Sequence, residues 1–188
     1  MGLDMYLVRK KYIGANYEHN EVKGTIDLTS KGKKIPIDLN KVTEIYEQVG
    51  YWRKANQIHK WFVDNVQDGI DDGGAYYVSD DDLKKLLAKC KEVEKKAILV
   101  DGKVKVSERF VDGKFVPIYE DGMVIENAEE IAKILPTQEG FFFGCTDYDE
   151  DYMEDIKDTI KIIESILEEE KILNEQRIWS EFEYSASW

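Results

Sequence analysis

The segment from Gly50 to Trp61, GYWRKANQIHKW, holds the side-chain types that bind an anionic aromatic ligand. Read as a helix, it places a tryptophan, an asparagine and a histidine at i, i+4 and i+7, along one edge. The indole offers a face for stacking, the amide and imidazole offer hydrogen bonds, and the neighbouring cations suit phosphate. The predicted ligand-binding residues of this segment are Trp52, Arg53, Asn56, His59 and Lys60.

An alternative interpretation assigns the same segment to the hydrophobic core. Trp52 and Trp61 would then widen a buried helix contact, His59 would be satisfied by local partners, and the cations would face solvent. A single histidine with no nucleophile beside it in sequence is weak evidence for catalysis. The sequence leaves both interpretations open.

The acidic segment Thr146–Tyr152, TDYDEDY, is the second group that could do chemistry. We predict that Asp147, Tyr148 and Asp149 close the other side of the ligand site. In one alternative the segment only starts a helix, with its threonine as the N-cap and its acids at the positive end of the helix dipole. In another, His59 and Asp147 or Asp149 act as acid and base in a small nucleotide-processing enzyme. A calcium loop of the EF-hand type is disfavoured because a tyrosine occupies the position that needs glycine. A divalent-metal or ribose-binding role is a further alternative for these acids.

A third group lies near the start of the chain. Asp4 sits between apolar residues, so it either faces solvent or reaches into a site, and His19 follows in a polar, loop-like segment. His19 and His59 are the only histidines, and neither has a partner at metal-ligand spacing. Phosphate-cradling, dinucleotide-binding and acyl-transfer glycine motifs are missing from the sequence. We therefore predict no metal and no cofactor.

The charge of the chain restricts its partners. The 188 residues carry a net charge of −13, but residues 1–70 carry +2 and residues 147–188 carry −10. Duplex nucleic acid is excluded as a partner because it requires a basic surface. The acidic end is either a solvated helix face or a binding surface for a basic partner. No apolar run approaches the roughly 18 residues of a membrane span, and the opening lacks a signal-peptide pattern, so we predict a cytoplasmic protein without membrane contact.

Periodicity and capping signals predict the elements that position these residues. The predicted helices span about 41–48, 51–66, 80–95, 127–135 and 150–173, with N-caps at Asn40, Ser79 and Asn127. The predicted strands span 3–7, 25–28, 34–37, 140–144 and 178–188, with short β segments and Asp-Gly turns across 98–126.

These elements predict an α+β fold. We expect one domain over residues 1–188, in which a small, mostly antiparallel sheet packs against the two longer helices at about 51–66 and 150–173. The β segments at about 98–126 are interpreted as a variable insertion. An acidic helix with a wide apolar stripe would also suit a homo-oligomer.

Three stretches of the sequence resemble a family of small uncharacterised proteins from phages, prophages and their bacterial hosts. They are the opening MGLDMYL, the block GYWRKAN followed by IHKWFV, and the segment GFFFG with TDYDE. The resemblance covers most of the chain except residues 98–126. It implies a phage accessory protein that acts in the cytoplasm of the host cell, and proteins of this kind often counter host defence.

Three functions follow as hypotheses. The first is a non-catalytic counter-defence protein that binds and sequesters a small anionic, nucleotide-like ligand at residues 52–60 and 147–149. The second is an inhibitor that binds a basic surface of a host protein through the acidic C-terminal region. The third is the small enzyme that would use His59 with Asp147 or Asp149.

Overall fold

The alternation of apolar and polar residues near the start of the chain corresponds to a strand that lies inside the central sheet. The computed structural model describes residues 2–14, 26–111 and 113–188, so the segment around His19 and the start of the predicted hairpin at Thr25 lie outside the described residues. The strands are β1 (Asp4–Tyr12), β2 (Leu28–Ser30), β3 (Lys33–Ile35), β4 (Glu44–Arg53), β5 (Tyr76–Val78), β6 (Leu99–Val111), β7 (Lys114–Ile125) and β8 (Ser180–Ser187). The helices are α1 (Asn56–Asn65), α2 (Asp80–Lys96), α3 (Ala128–Ile134) and α4 (Glu150–Glu175).

A four-stranded antiparallel sheet, in the order β4-β1-β8-β5, forms the centre of the molecule. Successive side chains of a strand point to opposite faces, so each strand has a core face and an open face. Met5 and Leu7 of β1 and Phe182 and Tyr184 of β8 are buried on the core face. The predicted α+β fold with a mostly antiparallel sheet is confirmed.

Helices cover the core face of this sheet. α4 buries the apolar stripe that its sequence predicts, including Met153, Ile156 and Ile163, and Trp52 of β4 donates its indole N–H to Thr159 Oγ1 at 2.9 Å. α2 begins with a capping box in which the side chains of Ser79 and Asp82 each accept from the other's backbone N–H. The predicted helices at 80–95, 127–135 and 150–173 and the closing strand are confirmed within a few residues.

An ion cluster around a buried arginine lies on the core face, near the C-terminal end of α4. The Arg9 guanidinium is 3% exposed and contacts the carboxylates of Glu47, Glu169 and Glu170 at 2.7, 2.5 and 3.4 Å. The Ser180 hydroxyl donates to Glu170 at 2.7 Å. One side chain of β1 therefore ties β4 and α4 together.

The helix predicted over 41–48 is wrong, because Glu44–Arg53 is the strand β4 and pairs with β1 along its whole length. The helix predicted from Tyr51 begins instead at Asn56, after a break at Lys54, where φ is +62°. Gly50 does not end a helix. A Cβ there would meet the Trp52 ring at 2.9 Å and the Leu7 Cβ at 3.1 Å, so Gly50 lets a large indole fold over its own strand.

The strand predicted over 140–144 is also wrong. Gly140–Gly144 forms turns, with left-handed backbone at Phe142 and Gly144, and Phe143 alone of its three phenylalanines is buried. Phe143 contacts the His59 ring edge-on, with ring centroids 5.2 Å apart. The segment thus anchors one side chain in the core rather than adding a strand to the sheet.

β6 and β7 form a long two-stranded ribbon that pairs with no other described strand. The Asp-Gly pairs predicted as turns at 101 and 121 lie inside the strands, where Gly102 stands opposite Gly122. A Cβ on Gly102 would meet Val124 Cγ2 at 2.5 Å, and one on Gly122 would meet Val104 Cγ2 at 2.7 Å. The glycines therefore make room for valines on the same face, and the chain reverses only between Val111 and Lys114. β2 and β3 form the short hairpin that the sequence predicts.

Candidate functional site

His59 lies at the centre of a buried polar chain on α1. Its Nδ1 is 2.8 Å from the Tyr184 hydroxyl and its Nε2 is 3.1 Å from Asp71 Oδ2. The carboxylate can only accept, so Nε2 carries the proton and Nδ1 accepts from the tyrosine. Burial holds the pKa of Tyr184 well above its usual value, and its ring stacks on Phe62 with centroids 3.9 Å apart. His59 is 0% exposed, so this arrangement stabilises the core and offers nothing to a ligand.

Asn56 joins the start of α1 to the segment before α4. Its amide N–H groups donate to the backbone carbonyls of Phe143 and Cys145 at 3.3 and 2.7 Å, and its carbonyl accepts from Gln138 N–H at 3.0 Å. The block at 52–60 and the segment leading to 146–152 are therefore packed against each other directly. Protein atoms occupy the place where the predicted ligand would have its polar contacts.

The other residues predicted on this block divide between core and surface. Trp52 is buried against Thr159 and Phe62, so its ring has no free face for stacking. Arg53 is exposed and lies 4.0 Å from Asp4, and Lys60 pairs with Asp64 at 2.9 Å. The predicted edge of Trp52, Asn56 and His59 does not exist as a helix edge, because Trp52 belongs to β4.

The acidic segment starts a helix. Asp149, not Thr146, is the N-cap of α4, and its carboxylate accepts from Tyr152 N–H at 3.1 Å. Asp149 is buried, and burial raises its pKa. Asp147 is exposed, while the Tyr148 hydroxyl accepts from Thr137 N–H at 3.1 Å. The structure brings this segment near α1, where Tyr148 and Asp149 make hydrogen bonds within the protein that stabilise the fold.

A groove of about 590 Å³ lies between α2 and α4. Leu87 and Leu167 form its apolar floor, and its three lysines each pair with an acid at 3.1, 2.6 and 2.6 Å. The lysines are Lys84, Lys91 and Lys171. Because each lysine is already paired with an acid, the groove does not offer a free positive charge from these lysines to bind an anion.

The open face of the central sheet is a preformed feature that the sequence prediction missed. It carries tyrosines on β1, β4 and β5, and we call it the tyrosine face. Its tyrosines are Tyr6, Tyr12, Tyr46, Tyr51 and Tyr77. Tyr46, Tyr51 and Tyr77 are 59%, 41% and 64% exposed, and Tyr6 contacts Tyr51 with ring centroids 5.5 Å apart.

Carboxylates hold the tyrosine hydroxyls in place. Tyr51 donates to Asp4 at 2.5 Å, and Tyr12 donates to Glu181 at 2.5 Å. Each hydrogen bond raises the pKa of its tyrosine, so the hydroxyls stay protonated donors. Fixed rings lose less conformational freedom when a partner binds, and tyrosine is enriched at the energetic centres of protein interfaces.

The tyrosine face already holds one cation. Lys10 Nζ lies 4.6 Å from the centroid of the Tyr12 ring and 5.8 Å from that of Tyr46. Four acids and two bases share the face, which gives it a net negative charge. They are Asp4, Glu44, Glu181, Glu183, Lys10 and Arg53.

Sequence could have indicated this face in part. Val8, Lys10 and Tyr12 continue the alternation that begins at Leu3, and extending the predicted strand beyond Leu7 would have placed Tyr12 beside Tyr6 on the open face. Tyr46 is not predicted on this face, because residues 41–48 are predicted as a helix, to which the two-residue alternation of a strand does not apply.

Comparisons with family models, with curated proteins and with solved structures found no match. Among the described residues, none of the helices is both long and apolar enough to cross a bilayer. Over the same part of the chain, no group of three or more His, Cys, Asp or Glu side chains is arranged to hold a metal ion.

Proposed function

We propose that this chain is a non-catalytic binding protein that uses its tyrosine face to bind a basic surface of a partner protein. The observation that carries the proposal is the tyrosine face itself, a rigid, partly exposed aromatic surface with an excess of acids. Arginine and lysine side chains of a partner would lie over the rings, as Lys10 does over Tyr12, and would pair with the acids at the rim.

The proposal refines the hypothesis of an inhibitor acting through an acidic C-terminal region. Glu181 and Glu183 belong to that region, and β8 carries them into the open face of the sheet beside β1. The resemblance to phage and prophage proteins suggests a bacterial host protein as the partner and a counter-defence role.

The placement of His59 and Trp52 supports a surface function over the other two hypotheses. Catalysis by His59 would require substrate to reach a side chain with 0% exposure. A nucleotide-like ligand would have to displace the contacts of Trp52, Asn56 and His59 within the protein. Binding of such a ligand stays a prediction, and calorimetric titration with cyclic nucleotides and ADP-ribose derivatives tests it directly.

Capture from a bacterial lysate with matched variants tests the proposal. Tyr46→Ser and Tyr77→Ser remove exposed rings from the tyrosine face, and Phe141→Ser removes a ring that is 76% exposed in the loop before α4. We expect a protein that the wild type and the Phe141 variant retain and the Tyr46 and Tyr77 variants lose.

Binding of the purified partner should weaken as salt rises, since exposed charges are screened. Equal capture by all three variants, or binding that salt does not change, would contradict the proposal. A saturable heat with a nucleotide that the tyrosine variants leave unaltered would favour the ligand hypothesis instead.

A further inference from the structure

The outer part of the β6–β7 ribbon exposes several large apolar side chains. Phe110 and Phe115 are 64% and 68% exposed, and Tyr119 is 53% exposed. Further exposed apolar residues of the ribbon are Val106, Val111, Val116 and Ile118. An isolated two-stranded ribbon is marginally stable in water, and an apolar patch of this kind usually marks an interaction site.

The exposed residues separate onto two faces. Phe110 stands directly opposite Phe115, with ring centroids 5.1 Å apart in a T-shaped contact. Alternation along β7 adds Pro117 and Tyr119 to that side, and we call it the aromatic face of the ribbon. The same side of β7 ends in Ile125, which is buried at the base of the ribbon. Between the aromatic face and this buried base lies the exposed ion pair of Lys103 and Asp121, so the aromatic face is a separate apolar patch at the outer end of the ribbon.

The two edges of the ribbon are poorly suited to adding a strand. Pro117 removes a backbone donor from β7, and the register of β6 shifts between Lys105 and Ser107. Irregularities of this kind oppose pairing at sheet edges. A partner of the ribbon would therefore contact its face rather than extend its hydrogen-bond ladder.

Charge favours a second copy of this chain as that partner. Two chains of net charge −13 repel each other, and a contact surface that carries no net charge adds least to that repulsion. Residues 103–121 contain four basic and four acidic side chains. This part of the ribbon therefore carries no net charge, whereas the whole chain carries −13, so two copies of it can meet across a two-fold axis without net repulsion between them.

We propose that two copies of the chain form a symmetric dimer by packing the aromatic faces of their β6–β7 ribbons against each other. The exposed parts of the three rings come to roughly 400 Å² per chain, so a two-fold contact buries roughly 800 Å² of aromatic surface at its centre. That is about half the area of a standard protein interface, and the charged rim of the ribbon supplies the rest.

Analytical ultracentrifugation of the full chain over a wide concentration range tests the dimer. We expect the wild type to approach twice the chain mass of 21.9 kDa as concentration rises. Phe115→Glu places two like charges at the centre of the contact and should raise the dimer dissociation constant by about 30-fold or more, as loss of a hot-spot residue does. Phe110→Ser, which adds no charge, should also weaken the dimer.

Phe141→Glu is the matched control, because Phe141 is 76% exposed and lies in the loop before α4. This variant should dimerise like the wild type, and circular dichroism should show all three variants folded. A wild type that stays monomeric at every concentration overturns the proposal and leaves the ribbon to an unlike partner. A dimer that Phe115→Glu and Phe110→Ser leave intact overturns it as well.

Discussion

Asp155 of α4 is a carboxylate that the fold stabilises best when it is protonated. Gln57 Nε2 donates to its Oδ2 at 3.0 Å, and burial raises its pKa from 3.8 to about 6, with a smaller contribution from the neighbouring acids of α4. Because the pKa is higher in the folded than in the unfolded chain, folding is disfavoured progressively as pH rises between about 4 and about 6. Above that window the full cost is present.

Asp155→Asn removes the charge and keeps an oxygen that accepts from Gln57. One pKa unit corresponds to about 1.4 kcal/mol, and discounting for the part of the side chain that meets water leaves a cost of about 2 kcal/mol at neutral pH. We expect the variant to be more stable than the wild type by 1–2 kcal/mol, about 3–6 °C in Tm, near pH 7.5. The advantage should vanish near pH 4.

Urea unfolding followed by circular dichroism across this pH range measures the effect. Asp158→Asn is the control, since it removes the same charge from an exposed position of α4 that pairs with Lys161. Its stability should change by less than about 0.5 kcal/mol at either pH. If Asp155→Asn gains no more than Asp158→Asn at pH 7.5, or gains equally at pH 4, the raised pKa assigned to the half-buried Asp155 carboxyl is wrong.

Three further predictions follow from the core. Arg9→Met leaves the buried carboxylate of Glu170 without its cation, while Glu47 and Glu169 stay partly in water, so the variant should destabilise the chain by about 2–3 kcal/mol in urea unfolding; a loss smaller than about 1 kcal/mol would contradict the cluster. Tyr184→Phe leaves His59 Nδ1 without its donor and should cost about 1–2 kcal/mol in the same assay, so unchanged stability would count against the buried polar chain. A thiol-specific reagent should modify Cys145 alone in the native protein and Cys90 only after unfolding, because burial raises the pKa of Cys90 to about 12; rapid native reaction of both would refute this.

The elements that sequence predicted well are those that local signals determine. α2 has a capping box at its start and α4 has an apolar stripe over seven turns, so each carries its own start signal or periodicity. The region 41–53 has no local signal that favours a strand over a helix. Asn40 could cap a helix there, but residues 44–53 form a strand because they pair with β1, which lies far away in sequence.

The candidate site was harder to predict for the same reason. His59 finds its partners 12 and 125 residues away in sequence, at Asp71 and Tyr184. Spacing within one segment identifies the side chains that could do chemistry, but it does not show which of them the rest of the chain will cover. The tyrosine face likewise exists only because four strands, separated in sequence, lie side by side.

The ribbon has a geometric consequence for how the chain would meet a target. Its base packs among the helices, where Val124 bridges to Asp149, while the tyrosine face lies on the other side of the sheet. Two chains joined through their ribbons would therefore keep both tyrosine faces free. Such a bivalent molecule would hold an oligomeric target far more strongly than a monomeric one, because the second contact forms at a high effective concentration.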